Sequence, residues 1–144
     1  MDSQDKNGRF AAIIVAGGSG SRLGGEPKQF RPLNGKTVLR HSLDAFAAHP
    51  RCAAIVIVAS DGGRAGQIAL GLDNVTIVQG GATRRDSVRN GLDTMGDSPC
   101  PLVLIHDAAR PGLDSATIDR LLNALQSHDG AIPVLSVSDS VARI

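Results

Sequence analysis

The stretch "RFAAIIVAGGSGSRLGGEPKQF", Arg9–Phe30, passes directly from an apolar run into a glycine-rich loop that ends in Pro-Lys-Gln-Phe. The run 9–16 predicts a β-strand that is buried on both faces. Glycines at 17, 18 and 20 let backbone N–H groups approach an anion closely, and Arg22 and Lys28 add positive charge. The stretch therefore predicts the first strand of an α/β domain, followed by a loop that binds several phosphates in a row.

Two common phosphate-binding loops do not fit this stretch. The dinucleotide fingerprint GxGxxG could start at Gly18, but Leu23 replaces its third glycine. A Walker A loop that starts at Gly20 would need a lysine where Glu26 stands. The loop is therefore of another kind, and the alternative interpretation is a mobile surface loop with solvated charges.

Apolar runs and helical patterns alternate along the rest of the chain. Further strands are predicted at 53–60, 74–80, 101–107 and 130–137, and helices at 37–49, 63–72, 84–95 and 114–128. Buried strands that alternate with helices indicate a mostly parallel sheet covered on both sides, a three-layer Rossmann-like α/β fold. Ligands bind such sheets beyond the carboxyl ends of the strands, here segments 16–28, 60–63, 80–87, 107–111 and 138–140.

The helical spacing also predicts which faces are buried. In the helix at 84–95 the expected apolar face consists of Val88, Leu92 and Met95. In the last helix, Asp114 or Ser115 is the expected N-cap. Its expected apolar stripe is Ile118, Leu121, Leu122 and Leu125.

Composition restricts the class of protein. The 144 residues carry a formal net charge of +1 and contain no Trp or Tyr, which argues against nucleic-acid binding. No apolar run is long enough to span a membrane, no signal peptide is recognisable, and two isolated cysteines fit the reducing cytoplasm. We expect a tail at 1–8 and one domain at 9–144, C-terminally truncated because the chain stops directly after a predicted strand.

Two later strand ends carry chemistry. In "GGATRRDSV", Gly80–Val88, glycine allows close backbone approach and Ser87 could offer its hydroxyl to a base edge; a plain turn with a helix start is the alternative. In "IHDAARP", Ile105–Pro111, Asp107 could hold Mg²⁺ and Arg110 could pair with a phosphate. The alternative there is an ordinary ion pair between the two side chains. His106 should point away from Asp107 and serve in packing.

Together these motifs resemble a known family. "AGGSGSRLGGEPKQF" is similar to the signature loop of sugar-phosphate nucleotidyltransferases, and its Pro-Lys-Gln-Phe ending to that of cytidylyltransferases. With "GGATRRDSV" and "HDAARP", the resemblance over Phe10–Ile144 is to the 2-C-methyl-D-erythritol 4-phosphate cytidylyltransferases. It implies a glycosyltransferase-A-like nucleotidyltransferase domain. It also implies transfer of the cytidylyl group of CTP to methylerythritol phosphate, with Mg²⁺, in non-mevalonate isoprenoid synthesis.

The resemblance implies a role for each matching residue. Arg22 and Lys28 would be catalytic, Asp107 would bind the metal, and Arg110 and Ser140 would contact the sugar phosphate. The nucleotide would lie against Ala16, Gly17, Gly18, Gly20, Gly81, Ser87 and Ala108. Ser140 stands where the family usually has threonine, and Ala82 where many members carry a polar side chain.

Several alternatives stay open at this point. A ribitol 5-phosphate cytidylyltransferase has similar loops, and a truncated CTP-binding module without activity would need no further segment. A guanylyltransferase for a molybdenum cofactor shares the first loop, but "PKQF" and "HDAARP" argue against it. The resemblance also implies a homodimer, whose partner is contacted through later segments of the family, and a possible fusion to another enzyme of the pathway.

Overall fold

The structure is a computed structural model that describes residues 8–18, 25–96 and 100–136. Its elements, in chain order, are β1 (Phe10–Ala16), a 3-10 helix (Lys28–Phe30), β2 (Pro32–Leu33), β3 (Lys36–Thr37), α1 (Val38–Ala47), β4 (Cys52–Ala59), α2 (Gly62–Ile68), β5 (Val75–Gln79), α3 (Arg84–Met95), β6 (Leu102–Asp107) and α4 (Ser115–Ala124). No helix within these ranges is long and apolar enough to cross a membrane.

The main sheet has four parallel strands in the order β5-β4-β1-β6. Strand β1 is central, and its Ile13 is paired with Val56 on one side and Ile105 on the other. Strands β2 and β3 form a separate, short antiparallel pair. The predicted parallel sheet is confirmed, and the carboxyl ends of its strands meet at one edge.

Helices cover both faces of this sheet, as predicted. On one face, even-numbered residues of β1 such as Ala12 and Ile14 belong to a large apolar cluster with residues of α1, α2 and α4. On the other face, Ile13 lies with Val56 and Val58 near α3. Because successive side chains of a strand point to opposite faces, the apolar run of β1 supplies both cores, and the three-layer prediction is confirmed.

The fifth strand predicted at 130–137 is wrong for the part that the structure describes. Residues 130–136 form no strand, and Ile132, Val134 and Leu135 are 79%, 79% and 95% exposed. A strand is stabilised by a neighbouring ladder and a packed face, not by apolar composition alone. Within the described residues β6 pairs with β1 alone, and Pro133 has no N–H to give to a ladder.

The predicted apolar face of α3 is also partly wrong. The buried residues of this helix are Ser87 and Gly91, whereas Leu92 is 43% exposed. Met95 does pack partly against the sheet. The small residues face the sheet because α3 lies so close to it that a larger side chain would not fit.

Helix α4 agrees with the sequence pattern. Asp114 is the N-cap, and its carboxylate accepts a hydrogen bond from the Thr117 N–H at 2.8 Å. Ile118 and Leu122 are fully buried, and the predicted stripe is completed by partly buried Leu121 and Leu125. Helical periodicity predicted the buried face of α4 correctly because this helix packs on the sheet through large apolar side chains.

The close approach of α3 predicts the outcome of a glycine substitution. A Cβ atom at Gly91 would lie 2.9 Å from Ile13 Cγ2 and 3.0 Å from Val58 Cγ2. Overpacking costs about 1–3 kcal/mol, more than the roughly 1 kcal/mol that alanine gains over glycine in a helix. The difference between the two terms predicts that Gly91→Ala lowers the free energy of unfolding in urea by up to about 2 kcal/mol.

Gly66 in α2 is the matched control, because a Cβ atom there has nothing within 4 Å. Gly66→Ala should raise the free energy of unfolding by about 0.4–1 kcal/mol. Equal stabilisation by both substitutions would show that α3 does not lie against the sheet as described.

Candidate functional site

A cleft of about 490 Å³ opens at the carboxyl edge of the sheet. Three of the segments singled out from the sequence meet in it: the start of the glycine loop, the turn before α3 and the turn after β6. The described lining residues are Val15, Ala16, Gly17, Gly18, Lys28, Gln29, Gly81, Ala82, Thr83, Arg84, Ser87, Asp107, Ala108, Ala109 and Arg110. The segment at 60–63 does not line the cleft, and Gly20, Arg22 and Ser140 lie outside the described residues.

The turn before α3 is fixed by short-range hydrogen bonds. Thr83 and Asp86 form a capping box, in which each side chain accepts from the other residue's backbone N–H. The Gly81 N–H donates to Ser87 Oγ at 3.0 Å, and Ser87 is buried. A hydroxyl that accepts one hydrogen bond still has its own proton to donate. Gly81 and Ser87 are thus brought together, and Ser87 keeps a donor.

The turn after β6 is held from two sides. The Ala108 N–H donates to the Val15 carbonyl at 3.0 Å, which continues the pairing of β6 with β1. The Ser42 hydroxyl of α1 donates to the Ala108 carbonyl at 3.3 Å. Ala108 is itself buried, so the turn is seated between the sheet and α1 with little freedom to move.

His106 has the packing role that the sequence predicted. Its ring meets Phe46 edge to face, with the centroids 5.6 Å apart. Burial lowers the pKa of His106, although its hydrogen bond to the Arg110 carbonyl works in the opposite direction. That bond, at 2.9 Å, requires a proton on Nε2, because a carbonyl oxygen can only accept. His106 is therefore a neutral tether of the turn.

The Asp107 carboxylate contacts two arginines. Arg84 Nε lies 2.9 Å from Oδ1, and Arg110 Nε lies 3.5 Å from Oδ2. Both arginines are exposed and Asp107 is half-buried, so these ion pairs contribute little to stability. The ordinary Asp–Arg pair that the sequence left open does form, but in a position where a ligand could replace it.

Arg84 is the cleft residue whose role sequence reasoning missed. The sequence placed it only at the start of a helix, and the structure carries it across the cleft to Asp107. The available signal was its position: it begins the helix that follows a buried strand, at the edge where ligands of parallel sheets bind.

The far end of the glycine loop is a 3-10 helix whose three residues lie in two different environments. Lys28 is exposed and lines the cleft, whereas Gln29 and Phe30 are buried. The guanidinium of Arg64 lies over the Phe30 ring at 4.5 Å and is also paired with Glu26. The backbone of Lys28 is thereby anchored, while its ammonium forms no ion pair with any residue that the structure describes.

The charges of the cleft favour a polyanion. Among the described lining residues, Lys28, Arg84 and Arg110 are cationic and Asp107 alone is anionic. The described residues contain no group of three potential metal ligands of the types His, Cys, Asp and Glu. A single carboxylate suits Mg²⁺ that takes its remaining ligands from phosphates and water, so the residues fit a metal–nucleotide complex and not a protein-only metal site.

Comparison with known proteins agrees with the nucleotide-binding character of the cleft. The family model described as "IspD: 2-C-methyl-D-erythritol 4-phosphate cytidylyltransferase" matches residues 10–144. The chain belongs to this family. Of the segments that carry the resemblance, parts of the glycine loop, the turn before α3 and the turn after β6 line the cleft.

Comparison with individual relatives shows what share of their length this chain covers. It is 48% identical over 139 residues to the bifunctional enzyme IspD/IspF of Rhodospirillum rubrum, covering 94% of this chain and 36% of that protein. Among solved structures, it is similar to the 2-C-methyl-D-erythritol 4-phosphate cytidylyltransferase of Francisella tularensis (30% identity, TM-score 0.69, covering 83% of this chain and 53% of that one). It is also similar to the 4-diphosphocytidyl-2C-methyl-D-erythritol synthase of Anaerococcus prevotii, with 28% identity and a TM-score of 0.72. That match covers 88% of this chain and 55% of the other. The chain thus spans about a third of the bifunctional relative and somewhat over half of the solved ones.

Proposed function

We propose that the protein transfers the cytidylyl group of CTP to 2-C-methyl-D-erythritol 4-phosphate, giving 4-diphosphocytidyl-2-C-methyl-D-erythritol and pyrophosphate in the non-mevalonate isoprenoid pathway. The observation that carries this proposal is the meeting of three family motifs in one cationic cleft. The reaction is inferred from the family, and the cationic side chains of the cleft are suited to binding two substrates that carry phosphate groups.

The reaction itself asks for positioning more than for acid–base chemistry. A phosphate oxygen of the acceptor forms a bond to the α-phosphorus of CTP, and the bond to the bridging oxygen of the β-phosphate breaks. The electron pair leaves with pyrophosphate. Because the attacking oxygen is already anionic at neutral pH, no base has to activate it, and His106 is not needed as one. The difficulty is to bring two polyanions together, which is met by charge neutralisation and orientation.

Each part of the cleft has a task in this reaction. The backbone of Gly17 and Gly18 and the Lys28 ammonium hold the triphosphate and stabilise charge on the leaving pyrophosphate. Gly81 and Ser87 receive the base, since a backbone group and a buried hydroxyl donor can read polar edges. Arg110, which is more exposed than Arg84, takes the acceptor phosphate. Arg22 and Ser140 remain proposals from the resemblance alone, as a second triphosphate cation and a substrate contact.

Mg²⁺ would arrive with the nucleotide and be held by Asp107. The ion supplies charge neutralisation across phosphate oxygens. Arg84, which pairs with the Asp107 carboxylate in this structure, would then be free to turn its guanidinium to a phosphate. The exchange is feasible because the pair is exposed and its loss costs little.

A neutral substitution tests Asp107. Asp107→Asn keeps the shape of the side chain and removes its charge, so we expect the Mg²⁺ concentration for half-maximal activity to rise at least tenfold. Asp73→Asn is the matched control, because Asp73 is exposed and lies outside the cleft. An unchanged Mg²⁺ requirement in Asp107→Asn would remove Asp107 from the metal site.

Pyrophosphate release tests the function as a whole. The protein is incubated with Mg²⁺, methylerythritol phosphate and each of the four nucleoside triphosphates in turn, and the acceptor is then replaced by ribitol 5-phosphate. Release with CTP and methylerythritol phosphate is the expected result. Release with ribitol 5-phosphate alone would reassign the acceptor. A CTP-induced rise in Tm without any release would support a binding module that lacks activity.

Assembly and location form the remaining part of the proposal. On the family resemblance we propose a cytoplasmic homodimer in which a second enzyme of the same pathway continues the chain. The support for the fusion is the bifunctional name of the Rhodospirillum rubrum relative, of which this chain covers 36%. Mass measurement of the native full-length protein tests both the dimer and the fusion.

A further inference from the structure

Gln29 is a buried residue in the wall of the cleft, and its side-chain amide bonds to the backbone of the glycine loop. Its Nε2 donates to the Ala16 carbonyl at 3.0 Å and to the Gly18 carbonyl at 2.9 Å. Both protons of one NH₂ group thus go to the backbone of the glycine loop. Gln29 itself is only 4% exposed, so these hydrogen bonds are shielded from water.

The two carbonyls stand at a critical point of the chain. Ala16 is the last residue of β1, and Gly18 is the second residue of the glycine loop that follows it. In a planar trans peptide, the N–H of a residue points opposite to the carbonyl of the residue before it. When Gln29 draws the Ala16 carbonyl towards itself, the Gly17 N–H is turned away from Gln29.

The position of Gln29 in the 3-10 helix links this loop to Lys28. Phe30 is fixed in the core and under Arg64, and Gln29 is fixed on the glycine backbone. Lys28, the preceding residue, projects into the same cleft that Gly17 and Gly18 line. The Gln29 amide therefore fixes the position of the Gly17–Gly18 backbone relative to Lys28, and both would face the same triphosphate.

We propose that Gln29 is the positioning residue of the phosphate-binding loop, and that its NH₂ group, not merely its size, is required. The proposal deepens the proposed function and rests on it for the identity of the ligand. An ionised carboxylate at this position would have no proton to donate and would face two carbonyl oxygens. A thioether of similar length would fill the space and donate nothing.

Two variants separate the donor from the volume. At pH 8 we expect Gln29→Glu and Gln29→Met each to weaken CTP binding in the presence of Mg²⁺ at least tenfold, measured by calorimetry on the full-length protein. At lower pH the Glu variant regains one O–H donor when its carboxyl group is protonated, so its deficit should shrink. The Met variant should show no such recovery, because it does not titrate.

Gln67→Glu is the matched control, because Gln67 is exposed on α2 and lies outside the cleft. It accounts both for the added negative charge and for any effect of pH on CTP itself. It should bind CTP like the wild type at every pH. Wild-type affinity in Gln29→Met would overturn the proposal. The proposal would also be overturned if the loss of CTP affinity in Gln29→Glu were the same at every pH, while Gln67→Glu bound CTP like the wild type throughout.

A ligand-free measurement separates this inference from the proposed function. If the wild type bound no CTP, the function would fail, but amide hydrogen exchange at Gly17 and Gly18 would still test Gln29. Faster exchange at these glycines in Gln29→Met than in Gln67→Glu would support the positioning role. Equal exchange would refute it, whatever the protein binds.

Discussion

Lys28→Ala is expected to lower kcat/KM for CTP by about 10²–10³-fold, the usual cost of losing one preorganised donor to developing charge. Lys28 is exposed, lines the cleft and, within the described part of the chain, takes part in no ion pair. Its removal should therefore leave Tm almost unchanged. Steady-state kinetics with CTP varied, together with a thermal melt, would measure both effects.

Lys36→Ala is the control for Lys28, because Lys36 is an exposed lysine that pairs with Asp44 and lies outside the cleft. It should retain wild-type kinetics. Lys28→Arg should also be slow, since a planar fork does not replace a compact ammonium. Near-normal rates in Lys28→Ala would rule out the cationic cradle, and we expect Arg22→Ala to behave like Lys28→Ala.

Gly81→Ala is expected to damage both stability and binding. A Cβ atom there would lie 2.4 Å from Asp86 Cβ and 2.9 Å from the Asp86 backbone carbon, distances at which the start of α3 has to move. Overpacking of this kind costs about 1–3 kcal/mol in the free energy of unfolding. The displacement also separates Gly81 from Ser87, so the CTP-induced rise in Tm should disappear.

Gly112→Ala provides the comparison, because Gly112 follows the other turn of the cleft and a Cβ atom there has nothing within 4 Å. Urea unfolding should leave its stability close to that of the wild type. If Gly81→Ala were equally harmless and still bound CTP, the close packing of this turn on α3 would be wrong.

The sequence predicted the location of the cleft better than its internal contacts. Parallel strands align their carboxyl ends, so the order of strands and motifs was enough to bring Gly81, Lys28 and Asp107 to one edge. The pairing of Arg84 with Asp107 was not predictable in the same way. It depends on where a long side chain points from the first turn of a helix, which periodicity does not encode.

The two errors in the fold have a common physical origin. Both the face of α3 and the strand at 130–137 were predicted from apolar side chains alone. On α3, small residues face the sheet and Leu92 remains exposed, because the distance between layers decides what can be buried. At 130–136 the required neighbour is a property of the whole sheet, so no local pattern could reveal that pairing is absent from the described residues.

The central place of β1 has a consequence for how the protein is made. β1 is synthesised well before β6, yet one of its edges pairs with β6, whose Ile105 lies opposite Ile13. At about 5–20 residues per second, the growing chain spends several seconds with an apolar strand that has no partner on that side. Pairings between residues so distant in sequence also form slowly. Until β6 is made, nascent β1 therefore exposes an apolar, unpaired edge of the kind that chaperones protect.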